Sequence, residues 1–131
     1  MRNTTLLNSN LSTVISTMGH FDTLCIGDAG LPIPKDVARI DLAVSAGVPT
    51  FLQVLDAVNA ELCVQKVTVA MEIKKANPTV HEAILERFPN VEIQYVPHEN
   101  FKHLTEGCKA VARTGETSSY ANIILESGVT F

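Results

Sequence analysis

His20 follows a segment of helical periodicity, in the run Gly19-His20-Phe21-Asp22. A helix carboxyl end carries partial negative charge and favours an imidazolium by about 0.3–1 kcal/mol. Asp22 and Asp28 are close enough in sequence to raise its proton affinity further. A histidine prepared in this way donates a proton near neutral pH. The same placement also suits a capping histidine that hydrogen-bonds the last helix carbonyls. Asp28 opens a rigid loop, Asp28-Ala29-Gly30-Leu31-Pro32-Ile33-Pro34. One carboxylate there can grip sugar hydroxyls through charge-assisted hydrogen bonds, or close an Asx turn on its own loop. His98, after Pro97, begins another helical segment, where a ring nitrogen and a free backbone N–H can jointly meet an oxygen. As a first-turn residue it can equally be only solvated. Tyr120-Ala121-Asn122 offers a phenol, backbone groups and an amide, all good polyol partners.

Other chemistries lack their residues. No HxH, HExxH or DxD spacing appears, so no metal is expected. No GxGxxG or GxxxxGK[ST] is present, so no nucleotide cofactor is signalled. Cys25, Cys63 and Cys108 are odd in number, widely spaced and set in apolar segments. They read as buried small hydrophobes rather than a disulfide frame or zinc site. His81 and His103 fall in amphipathic helices and read as solvated, and Lys74 and Lys75 as a surface face. Ten Lys and Arg against fourteen Asp and Glu are scattered along the 131 residues, which argues against a nucleic-acid footprint or a polybasic membrane patch. The first residues lack the apolar core of a secretory signal, and no apolar run approaches a membrane span. A cytoplasmic, soluble protein is the expectation.

These side chains need elements to hold them. With 46% hydrophobic and 18% charged residues, the chain is too apolar for disorder and expects one packed domain over residues 1–131. Leu11, Val14, Ile15 and Met18 predict a helix from Asn8 to Met18, with Gly19 in the left-handed position that ends it. Thr23 to Gly27 reads as a buried strand, and Arg39 to Val44 alternates as a half-buried one. Thr50 and Gln53 form a capping box before the stripe Phe51, Val54, Leu55, Val58 and Leu62. Lys66 to Ala70 is a β-branched strand. Asn77-Pro78 caps a helix carrying Val80, Ala83, Ile84 and Phe88. Val91 to Val96 is a strand, and Pro97 opens a fourth helix with Phe101, Leu104 and Cys108 on one side. Lys109 to Arg113 and Ile123 to Glu126 complete the strands. This alternation predicts an α/β fold: a three-layer α/β/α sandwich around a mainly parallel, mixed sheet. Ligands in such sheets bind beyond the carboxyl ends of the strands. That rule selects the loops after Gly27 and Ala70, the Pro97-His98 turn and the segment before Ile123.

Over essentially its whole length the sequence resembles the D-ribose pyranase family, to which the fucose mutarotases are related. The matching stretches are Leu7-Asn8-Ser9, Gly19-His20-x-Asp22, the Asp28 to Pro34 loop, Arg39-Ile40-Asp41 and Gly47-Val48-Pro49. Further matches are Glu72-Ile73-Lys74, His98-Glu99-x-Phe101-Lys102, Arg113-Thr114-Gly115-Glu116, Tyr120 to Leu125 and Gly128-Val129-Thr130-Phe131. The resemblance implies cofactor-free interconversion of β-D-ribopyranose and β-D-ribofuranose. By the same resemblance His20 is the proton donor, while Asp28, His98, Tyr120, Ala121 and Asn122 bind the sugar. It further implies a ring-shaped homo-oligomer, often a decamer, with each site completed by a neighbouring subunit. The Asp28 loop and the Tyr-Ala-Asn run favour ribose over fucose. Ser118-Ser119 departs from a commoner Ser/Thr-Pro. Mutarotation of another sugar, or sugar binding without catalysis on the same scaffold, are the alternatives.

Overall fold

Local signals and long-range pairing agree over most of the chain. The computed structural model describes residues 1–131. In order, the elements are α1 (Ser9–Thr17), β1 (Thr23–Gly27), β2 (Ala38–Asp41), α2 (Phe51–Asn59), β3 (Val64–Ala70), α3 (Ile73–Ala76), α4 (Pro78–Arg87), β4 (Glu92–Val96), α5 (His98–Leu104), a 3-10 turn (Thr105–Gly107), β5 (Ala110–Arg113) and β6 (Ile123–Ser127). The caps are those the sequence encodes. The Asn8 side chain accepts from Leu11 N–H at 3.0 Å, Asn77 caps α4 from Val80 N–H, and Thr50 with Gln53 forms the reciprocal box on α2.

One six-stranded sheet has the order β2-β5-β1-β6-β3-β4. β1, β2 and β5 are parallel, as are β3 and β4, and β6 runs antiparallel between β1 and β3. The pleat divides the core. Leu24, Ile26, Ala110, Ala112, Ile123 and Leu125 face the larger cluster, which includes Leu11, Phe51, Leu55, Val58 and Ile84 from α1, α2 and α4. Cys25, Val111 and Ile124, the alternate positions, meet Phe101 of α5 and Leu31 on the other face. Helices therefore cover both faces of the mixed sheet, the expected three layers.

Several local expectations change. β2 ends at Asp41 rather than Val44, because Val44 and Ser45 turn back to bond the Val48 carbonyl. Gly19 does not take a left-handed conformation; Phe21 does, at φ 70°. The fourth predicted helix stops at Leu104, whose side chain is exposed, and Cys108 follows a separate 3-10 turn. Cys63 is exposed, not buried: it lies between α2 and β3, where its thiol donates to the Val129 carbonyl at 3.3 Å. His81 is half-buried and its Nε2 lies 2.7 Å from the Tyr95 hydroxyl, rather than being simply solvated. Lys74 and Lys75 are exposed as expected, with Lys74 Nζ over the Tyr95 ring at 3.8 Å.

Candidate functional site

β1 separates the candidate residues. Its carboxyl end delivers Asp28, and the antiparallel β6 begins beside it, so Tyr120-Ala121-Asn122 arrives at the same edge. The end of β4 brings His98 there as well. Asp28, His98 and Tyr120, with Gly30, Leu31, Pro32 and Ser119, line a cavity of 280 Å³. Met71 and Glu72, after β3, line a neighbouring 610 Å³ hollow that shares Tyr120. All four loops selected by the sheet rule thus converge on one end of the sheet.

Asp28 is held from several sides. Its Oδ1 accepts from Gly30 N–H at 2.9 Å, an Asx turn. Its Oδ2 accepts from Asn122 Nδ2 at 2.9 Å, while Asp28 N–H donates to Asn122 Oδ1 at 2.7 Å. A carboxylate has further lone pairs, so these bonds aim it without exhausting it. Asn122 and Ala121 are fully buried. Asn122 therefore spends both ends of its amide on Asp28, and Ala121 has only backbone to offer. Arg113 completes the frame: its Nε donates to the Ala29 carbonyl at 3.0 Å while its Nη1 grips Asp41.

His98 differs from its expected setting. Its backbone N–H is not free but donates to both oxygens of Glu72, at 2.9 and 3.1 Å. Its ring lies edge-on to Tyr120, with centroids 5.1 Å apart, and parallel to Phe101. Its Nδ1 is buried with no hydrogen-bond partner in the chain. Tyr120 adopts φ 57°, a left-handed conformation unusual for a large side chain and of the kind that gathers at functional sites. The Ser118-Ser119 segment before it is tied by Asn77 Nδ2, which donates to Ser118 Oγ and to the Ser119 carbonyl at 2.9 Å each.

Sequence reasoning passed over Glu116. Its carboxylate accepts from Phe51 N–H, Ser118 N–H and Ser118 Oγ, and its carbonyl accepts from Ala29 N–H. It joins the Asp28 loop, the Tyr120 loop and α2. Burial pushes its carboxyl up, yet these donors outweigh burial and hold it below the usual glutamate range. No local motif announces such a hub, because its partners lie far apart in sequence.

His20 is elsewhere. It is exposed, at the amino end of β1, and lines a 480 Å³ cavity with Met18, Glu61, Cys63, Gly128 and Phe131 among others. Its ring stacks on exposed Phe21 at 3.7 Å, and its Nε2 lies 3.0 Å from Gln65 Oε1. It does not cap α1, which closes through Met18 N–H to the Ile15 carbonyl. Asp22 turns into its own loop, accepting from Gly19 N–H at 2.9 Å and pairing with Lys109. Asp28 lies beyond the whole of β1, about 16 Å of strand, and no hydrogen bond joins Asp22 to the ring, so the structure pairs neither carboxylate with His20 as the sequence suggested. No three His, Cys, Asp or Glu residues are grouped to hold a metal ion.

Comparison with known proteins matches residues 1–130 to a sequence profile of the RbsD / FucU transport protein family. The chain belongs to that family. Among family relatives, the D-ribose pyranase of Lactiplantibacillus plantarum is 53% identical over 131 residues, covering all of both chains. The structure of Bacillus subtilis RbsD complexed with D-ribose superposes with a TM-score of 0.97 at 43% identity, again over the whole of both chains. A fucose mutarotase in complex with L-fucose from Streptococcus pneumoniae superposes over both whole chains at a TM-score of 0.76 and 22% identity, which shows a shared fold alone.

Proposed function

We propose that this chain is a D-ribose pyranase, interconverting β-D-ribopyranose and β-D-ribofuranose, with residues 1–131 forming one isomerase domain. The observation that carries this reading is the full-length identity of 53% to a D-ribose pyranase, with the D-ribose-complexed relative at a TM-score of 0.97. The geometry supports it. Opening a hemiacetal needs a proton at the ring oxygen and loss of one from the anomeric hydroxyl; closure repeats the exchange at another hydroxyl. Only C–O and O–H bonds change, so one placed acid–base group supplies about 10²–10⁴-fold. The 280 Å³ cavity at Asp28, His98 and Tyr120 is at the small end of ligand sites, suited to a single pentose. There Asp28, His98 and Tyr120 bind hydroxyls, Ala121 lends backbone, and Asn122 sets the carboxylate of Asp28.

His20 serves as general acid in this proposal. Proton transfer requires about 2.6–3.2 Å between heavy atoms, which β1 forbids within one chain. A second copy therefore brings its His20 to this copy's Asp28 cavity. Exposed Phe21, Val129 and Phe131 around His20 and exposed Met71 beside Tyr120 supply apolar surface for that contact. A ring-shaped homo-oligomer, with a homodecamer as the expected form, satisfies every site at once. The cytoplasm is the proposed location, supported by three free thiols of the kind a reducing compartment maintains. Two-dimensional exchange NMR of D-ribose, with and without the protein, tests the activity, with L-fucose as the comparison sugar. Faster exchange between ribose ring forms is expected. Acceleration of fucose alone, or ribose binding without acceleration, would overturn the reading.

A further inference from the structure

β3 does not pair regularly with β6. Val64 stands opposite Ser127 and Lys66 opposite Glu126, so Gln65 is an extra residue on its side of the ladder. A bulge of this kind re-aims a side chain. Here it lets two successive residues reach one carboxylate: Gln65 Nε2 donates to Glu126 Oε1 at 2.8 Å, and Lys66 Nζ lies 3.0 Å from Oε2. Burial pushes the Glu126 carboxyl up, but those two donors outweigh it and hold the group below the usual range. Ionised, Glu126 can only accept. The amide of Gln65 must then present its oxygen to the other side, where His20 Nε2 lies at 3.0 Å. A carbonyl has no proton to give, so Nε2 carries one. Gly128 closes on the same amide: a Cβ there would lie 3.1 Å from Gln65 Cβ and 3.3 Å from its Oε1.

We propose that Gln65 is a positioning residue for His20, keeping a proton on Nε2 and leaving Nδ1 as the nitrogen that exchanges a proton with the sugar. The inference rests on the reading of His20 as general acid. In ring opening the Nδ1–H bond breaks and an O–H bond forms at the ring oxygen as it takes the C–O electron pair. The anomeric hydroxyl becomes a carbonyl and gives its proton to solvent. The imidazole left behind is neutral with its proton on Nε2, the tautomer that Gln65 accepts from. Closure runs the same transfers in reverse. The charged and titratable groups around His20 are Glu61 and Cys63 beyond α2, Lys66 and Glu126 on the strands, and Asp22 with Lys109 beside the turn.

NMR of the full-length protein carrying ¹⁵N-histidine reads this directly, through the two ring-nitrogen shifts of His20 as pH is varied. The neutral ring is expected to hold its proton on Nε2 in the wild type. Gln65→Leu keeps the charge of Glu126 and breaks the link, so the neutral proton spreads to Nδ1. Ribose exchange in that variant falls about tenfold in kcat, with KM little changed, as expected for one hydrogen bond acting through another residue. Glu126→Gln, close to isosteric, frees the amide to turn over and gives the same tautomer mixing. A wild-type neutral ring protonated on Nδ1 overturns the inference, as do unchanged ring shifts in both variants. The ring shifts need no sugar, so failure of the proposed activity and failure of this inference remain separate results.

Discussion

Asp28 shows that two readings the sequence sets against each other are compatible in one side chain, which closes a turn and lines the cavity. Its Oδ1 closes an Asx turn while Oδ2 meets Asn122, so the turn fixes the carboxylate that faces the cavity. Asp28→Asn keeps the turn but loses the charge and the acceptor of Asn122 Nδ2, and ribose affinity is expected to fall about tenfold, read by calorimetric titration. Asn122→Ala leaves Asp28 N–H without its buried acceptor. A loss of about 1–3 kcal/mol in denaturant unfolding is expected, together with weaker ribose binding, although the amide itself is spent on Asp28. The types of these residues were legible in the sequence; their pairing across 94 positions was not, since no local pattern encodes it. For His20 the sequence misled. Asp22 and Asp28 are near in number, but a strand carries one away and a backbone N–H captures the other.

At the scale of elements, Glu116 is the testable joint. Its carboxyl is held below its ordinary value of 4.5 in the folded chain. A depressed acid stabilises the fold fully above its unfolded pKa, and that contribution is lost as pH falls through the folded value. The stability gap between wild type and Glu116→Gln is therefore expected to be largest near neutrality and to shrink below about pH 4, measured by unfolding at stepped pH. Gly27 is a second joint, because an added Cβ would meet Leu31 Cδ2 at 2.6 Å and Asn122 Oδ1 at 3.2 Å. Gly27→Ala is expected to weaken ribose binding by displacing Asn122. Helix starts were readable because Asn8, Thr50 and Asn77 are themselves the caps. The bulge at Gln65 was not, since a strand's extra residue is defined only by its partner strand.

For the molecule as a whole, the sheet is built from both ends. One end gathers Asp28, His98 and Tyr120, and the other carries His20, with the length of β1 between them. The alternation of helical and extended periods was enough to read the layered fold. It could not place β6 antiparallel between β1 and β3, because strand order depends on pairings that leave no mark on either strand alone. Two copies must cooperate under this account, so light scattering is expected to give a closed oligomer rather than a monomer. The most direct measurement of the central claim is complementation. His20→Ala and Asp28→Asn proteins, each with little exchange when ribose is well below saturation, are unfolded, mixed in equal amounts, refolded together and assayed at that low ribose concentration. Recovery of about a quarter of the wild-type exchange rate is expected, since random neighbours restore His20 opposite an intact Asp28 cavity at that frequency. A mixture no more active than its parents would contradict a site shared between subunits.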